Sequence, residues 1–130
     1  MSVTWLCVGL LGLLPFGLGF WVSINRGRSK TNYHFNPDPT DALYKAVRIH
    51  ANTAEYVPAL MILIVALNQI MPGALTMWLA VIATLCRYLF VIGMMMSPTL
   101  DKPNPLRVIG AAGTYFIGLI MAVALIMAAL

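Results

Sequence analysis

The sequence predicts an all-α fold, an integral membrane four-helix bundle built as a single domain. Three observations lead there. Of its 130 residues 61% are hydrophobic and only 9% charged, with a mean hydropathy of +0.87, whereas soluble domains carry about a quarter charged residues. The apolar residues fall in blocks of roughly 20, the length at which a helix spans a bilayer. Most of the charges gather at the ends of those blocks or between them, leaving Arg48, Glu55 and Arg87 inside.

The spans are expected at about residues 3–24, 39–71, 74–96 and 105–130. The first block carries Pro15 and the glycines Gly9, Gly12, Gly17 and Gly19, and small residues of this kind let membrane helices approach closely. It lacks a basic leader and outlasts a signal-peptide core, so it is expected to be a retained span. Helix two opens on Asp38-Pro39, with Asp41 three residues after the cap, a pattern close to a capping box. Its first half is polar and its second half, residues 56–70, is apolar. Met71-Pro72-Gly73 is a tight turn without charges, and Asn104-Pro105 repeats the cap-then-proline start for helix four.

Charge sets the expected orientation. Arg26, Arg28, Lys30 and Lys45 flank the first loop and Lys102 and Arg107 the third, while the Pro72 turn and both ends carry no Lys or Arg. The positive-inside rule then puts both charged loops in the cytoplasm and both termini on the far side. The net charge of +4 does not point to nucleic acid, because the basic residues sit at span ends and not in a stripe interleaved with aromatics. Cys7 and Cys86 lie inside apolar blocks without metal-type spacing and read as small hydrophobes. Trp5, Trp21, Trp78, Tyr33 and Tyr44 lie near span ends and fit an aromatic belt.

Polar residues inside the spans are the candidates for function. Arg48, Asn52 and Glu55, spaced by four and then three residues, share a helix face with Asp41, Tyr44 and Ala59. Counting from Asp38, Arg48 lies roughly 15 Å along the helix and Glu55 roughly 25 Å. Arg87 lies roughly 15 Å from the end of helix three, so antiparallel packing brings all four to comparable depth. A charge at the bilayer centre costs at least ~2.5–3.5 kcal/mol, so these groups need partners or a wet cavity. Two readings stand: an ion pair of Arg87 with Glu55 locking helices two and three, or a site for an anionic guest held by Arg48 and Asn52. Arginine suits the second, because its fork grips carboxylates. His50, on the opposite side of helix two from Arg48, reads as an inter-helix residue rather than a catalyst. The run Met94-Met95-Met96 reads as lipid-facing or packing.

As a string, helix two gives Arg48-x-His50-x-Asn52-x-x-Glu55-Tyr56-x-Pro58. This resembles the helix-two signature of the MAPEG family, the membrane-associated proteins in eicosanoid and glutathione metabolism. The likeness extends over essentially the whole chain, and small bacterial-type members look closest. It implies a homotrimer, in a bacterial inner membrane, with sites between subunits open to the cytoplasmic face. Glutathione is the implied co-substrate, with a lipophilic small molecule or lipid approaching from the bilayer. Position by position, the resemblance implies that Arg48 and Asn52 hold glutathione's carboxylate and backbone groups and that Glu55 faces its amino group. Tyr56 and Arg87 would belong to the same glutathione-binding set, and Arg26 (with Arg28) would reach a second carboxylate. Arg107, near the start of helix four, is the implied catalytic residue: a cation near sulfur favours the nucleophilic thiolate.

Three departures accompany the match. Phe90 and Met94 occupy positions where glutathione-using members often carry hydroxyl groups, and Val108 follows the helix-four arginine where a serine can stand. Tyr115 substitutes only if the register allows. The first expectation is therefore a glutathione-dependent transferase or peroxidase acting on lipophilic electrophiles or lipid hydroperoxides. The alternative is a non-enzymatic lipid- or thiol-binding protein of the same family. A small four-helix transporter ranks last, because residues 3–24 contain no acid.

Overall fold

A computed structural model of the chain describes residues 2–130. Four helices run in sequence: α1 (Val3–Ser29), α2 (Ala42–Ile70), α3 (Ala74–Met96) and α4 (Pro105–Ala129), each long and apolar enough to cross a membrane. Helix α1 outruns its expected end by one turn and closes on Lys30, whose left-handed backbone (φ 52°) lets Lys30 and Thr31 donate back to Gly27 and Arg26. Helix α2 starts three residues later than expected. Asp38 instead accepts from the Thr40 N–H (2.8 Å) and hydroxyl (2.7 Å), and Asp41 is the residue that caps, accepting from Tyr44 N–H at 2.7 Å. Asn104 caps α4 through the Leu106 N–H, with Pro105 at the first position.

Buried positions on α1 (Cys7, Leu11, Leu14, Leu18, Val22) and on α2 (Ala46, Ile49, Thr53, Val57, Leu60, Ile64, Leu67) recur every three or four residues. That spacing lays one seam along each helix and packs the two as near-antiparallel neighbours. Helices α2 and α3 form the centre, with α1 on one side and α4 on the other; among the described residues α1 and α4 do not touch. Helix α4 approaches α3 through small residues. A Cβ on Gly110 would lie 2.7 Å from Cys86 O and Phe90 Cα, and one on Gly93 would lie 2.9 Å from Arg107 Cα. Close backbone contact of this kind replaces large-side-chain burial at α4, where only Gly110, Thr114 and Met121 are buried.

The two charged loops meet at one end. Leu100 N–H donates to Pro39 O (3.0 Å), and Lys45 Nζ donates to Ser97 O (3.2 Å). The loop before α2 and the loop after α3 thus form one tied rim over the ends of α2, α3 and α4.

Candidate functional site: a cationic cavity between three helices

Under that rim lies a cavity of about 320 Å³, within the range of small-molecule sites. Arg48 and Asn52 enter it from α2, and Arg107, Ala111 and Tyr115 from α4 at four-residue steps. Phe90 and Met94 form the α3 wall, and Pro39, Leu100 and Asp101 line the mouth with Tyr44 beside them. Arg107 is fixed there by donating to Leu100 O at 2.9 Å.

The angular order on α2 decides which polar residues turn inward. At 100° per residue, Asn52 and Tyr56 stand about 40° and 80° round from Arg48 towards the buried seam, while Glu55 stands about 20° the other way. Accordingly Asn52 and Tyr56 are half-buried, Arg48 is exposed but long enough to line the cavity, and Glu55 is exposed on the flank of α2.

Arg87 is 1% exposed. The later start of α2 sets its partner: Asn52 lies about 15 Å from Ala42, and Arg87 about 14 Å from Met96. Both guanidinium amino groups donate to Asn52 Oδ1 at 3.2 Å, and one also donates to Thr53 Oγ1 at 3.2 Å. The expected ion pair with Glu55 does not form, because Glu55 points off the seam. Arg87 Nε is buried without a partner, and the guanidinium lies 4.6 Å from the Phe90 ring centroid and 5.8 Å from that of Tyr56. Those aromatic faces offset part of the cost of burying the charge.

The cavity thus gathers Arg48, Asn52 and Arg107. Tyr56 stands just behind it, its ring 5.3 Å from that of Tyr115, and Arg87 stands behind Asn52. Glu55 is on the flank, and Arg26, near the end of α1, donates to Asn32 O at 2.8 Å and does not line the cavity. His50 turns away towards α1, where its Nε2 would lie 3.3 Å from a Cβ on Gly19. Asp101 and Leu100 escaped the sequence analysis because loop residues carry no periodic signal. The register does allow Tyr115, which lines the cavity two turns beyond Arg107 on the same face.

Four membrane-length helices, three of them around a cavity lined by two arginines and one acid, define a multi-pass integral membrane protein. The chain belongs to the MAPEG family, whose model matches residues 4–127, nearly its whole length. That family includes glutathione transferases and peroxidases. A search of curated protein sequences returned no match.

Proposed function

We propose that the protein is a membrane-bound glutathione-dependent transferase or peroxidase acting on lipophilic electrophiles or lipid hydroperoxides. The observation that carries this proposal is the convergence of Arg48, Asn52 and Arg107 on one cavity. Glutathione has two carboxylates and one ammonium, and two arginines facing one acid match that charge pattern. Arg48 and the Asn52 amide take a carboxylate or peptide carbonyl. Arg107 holds the sulfur as thiolate, the form that attacks an electrophilic carbon or a peroxide oxygen. For the ammonium there are two acids at different positions: Asp101 inside the mouth and Glu55 on the α2 flank.

The assembly in this proposal is a homotrimer in a bacterial inner membrane; family membership supports the trimer, and the Lys and Arg residues of the two loops support a rim facing the cytoplasm. In that assembly Glu55 and the exposed side of Arg48 face a neighbouring subunit, and Arg26 reaches the guest from across that interface. The lipophilic partner enters from the bilayer along the Phe90 and Met94 wall.

Conjugation of glutathione to a generic aromatic electrophile by the purified protein tests the proposal. Turnover that falls in Arg107→Ala supports it, and turnover unchanged in that variant removes the assigned mechanism. The apolar Phe90 and Met94 in the cavity wall favour one second reading, a non-enzymatic lipid- or thiol-binding protein. Binding of glutathione or lipid without turnover would establish that alternative.

A further inference from the structure

Arginine carries only hydrogen-bond donors, so the half of the Asn52 amide facing Arg87 must be its oxygen. Two guanidinium amino groups converge on that oxygen, and the same guanidinium is anchored by Thr53 and held against Phe90. Asn52 also lines the cavity, whereas Arg87 does not. A half-turn of the amide would put Nδ2–H against a buried cation and lose both hydrogen bonds.

We infer that Arg87 is a positioning residue that locks the Asn52 amide with its NH2 towards the cavity, making Asn52 an obligate donor. Arg87 does not touch the guest. It acts through Asn52, which then engages only a group with free lone pairs, a carboxylate or a peptide carbonyl. The inference deepens the proposed glutathione site and rests on it for the identity of the guest. The cavity also acquires a direction. Its inner end carries the Asn52 and Arg48 donors and the Tyr115 hydroxyl, with a buried cation behind them, while its acid, Asp101, sits at the mouth. A zwitterionic guest enters acceptor end first, leaving any ammonium near the rim.

Asn52→Asp separates the possibilities. It keeps an oxygen for Arg87 and adds a charge that pairs with it, but it removes the donor and turns a carboxylate oxygen towards the guest. Without ligand, the detergent-solubilised variant should unfold at or above the wild-type temperature; a clear fall would overturn the Arg87–Oδ1 lock. With glutathione as probe, the variant should bind about 10- to 100-fold more weakly, the size of a lost hydrogen bond to a charged group. Wild-type affinity in Asn52→Asp would overturn the donor assignment. If the wild type itself fails to bind glutathione, the proposed function falls, and the unliganded comparison still decides whether Arg87 holds Asn52.

Arg87→Lys supplies the second arm. It keeps the charge and loses the fork, so it should raise KM for glutathione several-fold with a smaller change in kcat. In Asn52→Ala the same change should add nothing, since the two residues act as one unit. Additive losses would overturn the positioning role.

Discussion

At the scale of single residues, Arg107 has two duties that different substitutions separate. Its guanidinium ties the loop at Leu100 O and also lines the cavity. Arg107→Ala should reduce the conjugation rate about 100-fold, the usual loss when one group stabilising a developing or bound anion is removed. Arg107→Lys keeps a cation near sulfur and should retain most of the rate at saturating glutathione. Equal losses in the two variants would show that the loop tie, not the charge, carries the effect. The acids divide similarly. If Asp101 holds the guest's ammonium, Asp101→Asn raises KM for glutathione while Glu55→Gln leaves it unchanged in dilute detergent, and initial rates over a range of glutathione concentrations decide between them. The arginines and Asn52 were legible in the sequence because charge inside an apolar block is conspicuous. Glu55 was equally conspicuous, but its orientation was not: it stands about 60° from Asn52 on the helix wheel, off the seam, and the three-residue shift in the start of α2 puts Asn52 rather than Arg48 level with Arg87. Such a shift is below what capping signals resolve when Asp38 and Asp41 both qualify.

At the scale of elements, the α3–α4 crossing holds the cavity end of the bundle in register. Gly110→Ala drives a methyl into the backbone at Phe90 and Cys86, so it should destabilise the protein by about 1–3 kcal/mol. Gly118→Ala, whose nearest neighbour is Leu60 Cδ2 at 3.7 Å, should change stability little. Thermal unfolding of the two variants side by side checks this, and equal effects would refute the close crossing. At the rim, the hydrogen bonds from Thr40 hold the Asp38 carboxyl below its ordinary value of 3.8. A depressed carboxylate pKa gives stability that is present above the unfolded value and lost as pH falls through the folded one. Asp38→Ala should therefore lower the unfolding temperature slightly at pH 7, and the gap to wild type should close below about pH 3.8. The membrane-length helices and both proline starts were legible from block length and turn chemistry. The glycine crossing was not, since a glycine in a membrane helix does not reveal which neighbour it admits.

At the scale of the whole molecule, the order of the helices explains why the polar cavity lies at one end. An up-and-down path brings the first and third loops to the same end, and the hydrogen bonds of Leu100 and Lys45 join them into a rim. The charge pattern of the loops made that end legible in advance. The exposed flank of Glu55 and the position of Arg26 outside the cavity lining are accounted for by the proposed trimer, in which neighbouring copies complete the site. Native mass spectrometry from mild detergent should find three copies, and a monomer at all concentrations would leave Arg26 without a role.

Thermal unfolding with added glutathione decides whether this cavity binds glutathione through Arg48 and its neighbours. Ligand that binds only the folded state stabilises it by about 2.7 kcal/mol at 100 times its dissociation constant. The unfolding temperature of the wild type should rise steadily with millimolar glutathione, and Arg48→Ala should show little or no rise over the same range. No shift in the wild type, or an equal shift in Arg48→Ala, would contradict the claim.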